Sequence, residues 1–77
     1  MHKYFLEFTL STHDYSMDEI KECLIGLGES LEILLLPQCD TERARNYKIH
    51  LNVEDATLVF DTCAQLGKIK SVRINEN

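Results

Sequence analysis

Two segments of the chain alternate between apolar and polar residues, with Phe5 as the one apolar residue on the polar side. The first covers residues 3–10 and the second covers residues 47–53. Because successive side chains of a strand point to opposite faces, each segment predicts a β-strand with one buried face. The residues predicted to face inward are Tyr4, Leu6, Phe8 and Leu10 in the first strand, and Tyr47, Ile49, Leu51 and Val53 in the second.

A helix is predicted to follow each of these strands. Ser16 and Glu19 have the spacing of a capping box, in which each side chain accepts a hydrogen bond from the backbone of the other residue. Gly28 is predicted to end this first helix with a positive φ. Acidic Glu54 and Asp55 open the second helix, and Gly67 closes it. The residues predicted to face the core are Met17, Ile20, Cys23, Leu24 and Leu27 in the first helix, and Ala56, Val59, Phe60 and Cys63 in the second.

Two further strands are predicted from shorter apolar runs. Residues 31–36 are almost continuously apolar and stop at Pro37, although this pattern is also compatible with a helical turn. Residues 69–74 form the last strand, with Val72 and Ile74 predicted in the core. Residues 11–15 and 38–46 are polar and predict loops.

The resulting order β-α-β-β-α-β predicts the fold class. We expect one α+β domain over residues 1–77, a ferredoxin-like βαββαβ sandwich with a four-stranded antiparallel sheet and both helices on one face. The first and third strands are central neighbours in that topology. The side chains predicted to meet on the helix-free side of the sheet, here called the open face, are Phe5, Glu7, Lys48, His50 and Asn52.

Composition and charge limit the partners that we expect. The 77 residues carry 13 acidic and 8 basic side chains, for a net charge of −5. Such a field repels phosphate backbones and anionic lipids, so we expect no nucleic acid and no membrane partner. Apolar runs are too short for a membrane span, and Glu7 comes too early for a secretory signal, so we expect a cytoplasmic protein.

The three cysteines do not indicate a metal knuckle or a disulfide framework. Their number is odd, they are widely spaced, and no CxxC pair occurs. Cys23 and Cys63 are predicted to be small buried residues of the helices, and Cys39 is predicted to be exposed. A reducing compartment suits all three thiols.

Several short strings, in order along nearly the whole chain, resemble one known domain. They are Tyr4-Phe5-Leu6-Glu7-Phe8, Gly28-Glu29-Ser30-Leu31, Lys48-Ile49-His50-Leu51-Asn52 and Gly67-Lys68-Ile69, with Ile74-Asn75-Glu76-Asn77 as a looser match. They resemble Tyr-Cys-Thr-Glu-Phe, Gly-Asp/Glu-Ser-Leu, Lys-Val-His-x-His, Gly-x-Ile and Ile-Glu-Asn in the middle domain of the bacterial fatty acid kinase catalytic subunit, a relative of dihydroxyacetone kinases.

That resemblance implies a metal site that this chain has lost. In the family, the strand cysteine and the two histidines form a zinc site, and the matching positions here hold Phe5, His50 and Asn52. One strong ligand remains, and Glu7 beside it does not make a good zinc site. We therefore expect no bound metal and no cofactor. The 77 residues include no match to the family's nucleotide-binding domain, so we expect no kinase activity.

The open face is the predicted functional surface. If Ile33 and Leu35 point inward, Leu34 and Leu36 point outward and extend the apolar surface around Phe5, which predicts a contact surface. No catalytic pairing and no glycine-rich phosphate loop stand out, so we predict a non-catalytic module that binds a protein partner or a second copy. The predicted partner-binding residues are Phe5, Glu7, Leu34, Leu36, Lys48, His50 and Asn52.

An alternative function belongs to another class. The ACT domains share the predicted fold and bind amino acids at the turn between the first strand and the first helix. Residues 11–15 would form that turn here, and they contain no glycine to let a ligand approach the backbone. An ACT-like small-molecule sensor is therefore the second hypothesis.

Overall fold

Six elements follow one another in the predicted order. The structure, a computed structural model, describes residues 4–37 and 43–76, so Cys39 and most of the predicted loop 38–46 lie outside the described residues. The elements are β1 (Tyr4–Thr12), α1 (Met17–Leu24), β2 (Glu29–Leu35), β3 (Arg45–Val53), α2 (Ala56–Leu66) and β4 (Lys68–Glu76).

The strands form one antiparallel sheet in the order β2-β3-β1-β4, which confirms the ferredoxin-like α+β fold. β1 and β3 are the central pair, with Leu6 opposite Leu51 and Phe8 opposite Ile49. β2 and β4 are therefore the two edges of the sheet, and each is paired on one side.

The core lies between the sheet and the two helices. Every second residue of β1 and β3 is buried, as the alternation predicts, and Tyr4 at the start of β1 is partly buried. Phe8 also meets Phe60 of α2 edge to face, with 5.5 Å between ring centroids. The buried core residues are Leu6, Phe8, Leu10, Ile20, Leu24, Tyr47, Ile49, Leu51, Val53, Val59 and Cys63.

The helix starts follow their capping residues. The Glu19 N–H donates to Ser16 Oγ at 3.3 Å, and the Ser16 N–H donates to Glu19 Oε1 at 3.1 Å, which confirms the capping box. Asp55 caps α2 by accepting a hydrogen bond from the Thr57 N–H at 2.9 Å. Gly67 closes α2 as predicted, and its N–H donates to the Cys63 carbonyl at 3.1 Å.

The end of α1 differs from the prediction. The helix stops at Leu24 with Ile25 as its C-cap, and Gly28 does not have a positive φ. Gly28 is needed for another reason, because a Cβ at this position would overlap the Asn52 carbonyl oxygen and lie 2.6 Å from Val53 Cγ1. The glycine therefore lets the chain pass close to the end of β3.

The predicted burial of Cys23 is wrong, whereas that of Cys63 is confirmed. Ile20 and Leu24 are the buried residues of α1, and Cys23 lies on the exposed flank of the same helix. Helical spacing places a residue near the apolar face, but only contact with the sheet buries it.

Val72 and Ile74, predicted in the core, are 46% and 49% exposed, and Leu35, predicted to face inward, is 56% exposed. Ile74 lies opposite Leu6 and Leu35 lies opposite Tyr47, so both share the core side of the sheet. They are exposed because edge strands have a neighbouring strand on one side only.

β1 extends further than predicted, so part of the predicted loop 11–15 is strand. Ser11 and Thr12 both belong to β1. Thr12 is buried, and its hydroxyl donates to the Leu66 carbonyl at 2.8 Å, which ties the end of β1 to the end of α2. Neither of the described helices is long and apolar enough to cross a membrane.

Candidate functional site

The central strand pair brings the predicted polar residues together on the open face. Directly opposed residues of an antiparallel pair share one face of the sheet. Leu6 of β1 and Leu51 of β3 are opposed and buried on the core side, so the residues that alternate with them along each strand lie on the open face. The opposed pairs on the open face are Phe5 with Asn52, Glu7 with His50, and Thr9 with Lys48.

Glu7 is the centre of an ionic cluster on this face. Its Oε1 atom lies 2.9 Å from His50 Nε2 and 3.7 Å from Lys48 Nζ. Its Oε2 atom lies 3.8 Å from Arg73 Nη1, on β4. The Glu7 side chain is 22% exposed, so the carboxylate is partly removed from water and depends on these groups for compensation. Arg73 is 76% exposed, and solvent weakens its contribution.

His50 lies between two carboxylates and an aromatic ring. Its Nδ1 atom is 3.9 Å from Glu32 Oε2, and its ring centroid is 5.6 Å from that of Phe5 at an interplanar angle of 59°. Although Nε2 is close to Glu7, the contact lacks the direction of a hydrogen bond, and this buried nitrogen has no hydrogen-bond partner among the described residues. The distance therefore supports an electrostatic contact when His50 is protonated.

Leu34 and Leu36 flank this ionic cluster on the β2 side. Leu34 lies opposite Lys48, and it is 54% exposed. Leu36 and Arg73 line an open depression of about 410 Å³ that also contacts Glu7 and Lys48. The open face therefore has an apolar side and an ionic centre. Phe5 is partly buried, so it contributes less exposed apolar area than the sequence suggests.

All seven predicted partner-binding residues are described, but two members of the cluster were not predicted. Glu32 contacts His50, and Arg73 contacts Glu7. A sequence signal existed for both residues. Arg73 lies between Val72 and Ile74, and Glu32 precedes Ile33, so alternation places each of them on the polar side of a strand. The binding role of the predicted set stays a prediction.

The residues at the three ligand positions do not fit the zinc site that the resemblance implies. The Phe5 ring packs against His50 where that family has a thiolate, and Asn52 replaces the second imidazole. Among the described residues, no group of three or more His, Cys, Asp or Glu side chains is arranged to hold a metal ion.

No protein-family model matches the chain, and no curated protein is significantly similar to it.

Proposed function

We propose that this chain is a non-catalytic protein-interaction module that resembles the fatty acid kinase middle domain and binds an acidic partner protein through its open face. The proposal includes a cytoplasmic location, where the free thiols of Cys23 and Cys63 stay reduced. The observation that carries it is the combination of exposed Leu34 with the cations Lys48 and Arg73 around Glu7.

The charge of the open face favours an acidic partner. Lys48 and Lys70 lie opposite Thr9 from its two sides, and Arg73 lies opposite Glu7, so cations line both sides of β1. The chain as a whole has a net charge of −5, which makes this basic stripe a local feature. A partner carboxylate placed here would meet Lys48 and Arg73, and partner apolar groups would cover Leu34.

The ionic cluster suits recognition better than proton transfer. Lys48 of β3 and Arg73 of β4 lie 3.7 Å and 3.8 Å from the Glu7 carboxylate, so cations from the two neighbouring strands hold it. The proposal also favours a protein over single-stranded nucleic acid, because Phe5 is partly buried and packs against His50, which leaves little aromatic surface for base stacking.

Affinity capture from the source organism's lysate, followed by binding measurements with the captured protein, tests this function. Leu34→Glu and Phe5→Ala are the open-face variants. Leu58→Glu on α2 is the matched control, because Leu58 is 55% exposed and Leu34 is 54% exposed. We expect binding that weakens with added salt, is lost with both open-face variants and is kept with Leu58→Glu.

Two outcomes would contradict the proposal. Equal binding by all variants would show that the open face is not the contact surface. An amide-resolved titration in which an amino acid shifts residues 13–16 would support the ACT-like sensor instead.

A further inference from the structure

Three half-exposed apolar residues mark the two edges of the sheet. Leu35 on β2 is 56% exposed, whereas Val72 and Ile74 on β4 are 46% and 49% exposed. Leu35 and Ile74 lie on the core side, since they oppose buried Tyr47 and Leu6. They have the sequence pattern of core residues but lack a neighbour on the outer side of their strand. One more strand at each edge would supply that neighbour.

Both edges are long enough to pair. β2 has 7 residues and β4 has 9 residues, and no strand lies beyond either of them in the described part of the chain. An edge strand presents a row of backbone N–H and C=O groups that are free to bond with another strand. The question is which strand fits each edge.

The charges of the two edges are opposite. β2 carries Glu29 and Glu32, whereas β4 carries Lys68, Lys70 and Arg73 and a single acid, Glu76, at its C-terminal end. Pairing two β2 edges or two β4 edges would bring like charges close together, which is unfavourable across strands. Pairing β2 with β4 brings opposite charges together. The best complement for each edge is therefore the other edge of a second copy.

Strand direction allows this pairing without rotating the second copy. β2 is antiparallel to β3, β3 to β1, and β1 to β4, so β2 and β4 run in opposite directions. A second copy placed beside the first, turned only by the natural twist of the sheet, would continue the antiparallel sheet.

One register satisfies both faces of such a contact. Within one copy, the irregularity of β4 places both Ser71 and Val72 opposite Phe8 of β1. In the proposed register, the same two residues lie opposite Ile33 on β2 of the second copy. Apolar residues then meet apolar residues on the core side, and an acid meets a base on the open face. The paired residues in this register are Leu35 with Ile69, Leu34 with Lys70, Glu32 with Arg73, and Leu31 with Ile74.

We propose that copies of this chain associate edge to edge, with β2 of one copy pairing antiparallel with β4 of the next. The contact is made along the edges of β2 and β4 and does not require the acidic partner protein, so it goes beyond the proposed function and is tested separately from it. Because the two surfaces in contact differ, the association is head to tail and produces a ring or a growing chain of copies.

Sedimentation or light scattering of the full chain from micromolar to millimolar concentration tests the pairing. The edge variants are Leu35→Lys, which places a cation against the basic edge, and Val72→Glu, which places an anion against the acidic edge. We expect the wild type to gain mass with concentration, and each variant to weaken association at least about fivefold. Leu58→Lys and Leu58→Glu on α2 are controls of similar exposure and should associate like the wild type.

Mixing the two edge variants supplies the decisive measurement. The Leu35→Lys edge of one variant and the Val72→Glu edge of the other are complementary, and the remaining edges are unchanged. The mixture should therefore associate more strongly than either variant alone.

Three results would overturn the proposal. The first is a wild type that stays monomeric over the whole concentration range. The second is association that only one of the two edge variants weakens, which would indicate pairing of like edges. The third is association that Phe5→Ala abolishes and both edge variants leave intact, which would place the contact between copies on the open face.

Discussion

The buried thiol of Cys63 is the residue whose chemistry the fold changes most clearly. The side chain is fully buried among the core residues of α2 and the sheet. Burial raises the pKa of Cys63 from 9.0 to about 12, and charge repulsion from Cys23 adds to this effect. The fold therefore favours the neutral thiol over the thiolate.

This shift predicts a loss of stability at high pH. The folded-state pKa is raised, so the contribution of the neutral thiol is fully present below pH 9.0 and is lost as the pH rises towards 12. We expect the free energy of unfolding of the wild type to fall over this window by up to about 4 kcal/mol more than that of Cys63→Ala. Denaturant unfolding of both proteins at a series of pH values measures the difference. Parallel pH dependences would contradict the role of Cys63.

Cys23 and Cys63 also show what residue-level prediction lacks. Both fall at helical spacing beside apolar residues, and the sequence gives them the same interpretation. Only Cys63 is buried, because α1 ends one residue after Cys23 and presents Ile20 and Leu24 to the sheet. The periodicity of a helix indicates which side of it is apolar, and the elements packed against that side determine which of its residues are buried.

At the scale of the element, β4 has a backbone conformation that its sequence does not suggest. Ser71 has a φ of 53° within a strand of 9 residues. It lies where the register with β1 shifts between Glu7 and Thr9. A left-handed residue at a β-bulge turns the strand locally, and side chains branched at Cβ fit it poorly.

At Ser71, glycine should therefore be more stable than valine, which is the reverse of the usual order in a strand. Strand propensity alone favours Ser71→Val, but the positive φ should make this variant less stable by about 1–2 kcal/mol. Ser71→Gly should be neutral or slightly more stable, since glycine adopts positive φ without strain. Urea unfolding of both variants, with Lys70→Val as the control at a neighbouring exposed position, measures this. A stabilised Ser71→Val would show that the bulge does not persist in solution.

The central strands were predictable and the edge strands were less so. β1 and β3 are covered by helices on one side and have a strand on both edges, so alternation alone gives the buried residues correctly. For Leu35 and Ile74, alternation gives the correct side of the sheet but not the exposure, because burial also requires neighbours. The positive φ of Ser71 has no signal in composition.

At the scale of the whole molecule, most residues of the candidate site could be predicted from the sequence, because the order of the elements fixes which strands are neighbours. Once β1 and β3 are central neighbours, their alternation places Glu7 and His50 on the same face, and the observed register sets them opposite each other. The contacts of Glu32 and Arg73 depend on the registers of β2 and β4, each of which contains an irregularity. A one-residue difference in register moves a side chain to the other face, so these contacts could not be derived from the order of the elements alone.

The small core makes the whole molecule sensitive to single substitutions on one side of β1 and tolerant on the other. At roughly 0.05–0.15 kcal/mol per residue, a 77-residue domain has a stability of about 4–12 kcal/mol. Phe8 is 1% exposed and contacts Phe60, so Phe8→Ala should cost about 3–5 kcal/mol and leave little cooperative unfolding. Phe5 is partly buried on the open face, so Phe5→Ala should cost about 1–2 kcal/mol and leave the domain folded.

Urea unfolding followed by circular dichroism compares these two variants directly. A large loss for Phe8→Ala and a small loss for Phe5→Ala would show that the two faces of β1 have separate roles in stability and surface contact. It would also establish that partner binding lost with Phe5→Ala is a property of the surface. An equally large loss for Phe5→Ala would contradict this division, because Phe5 and its contact with His50 would then support the fold, and the Leu34→Glu variant alone would test the binding surface.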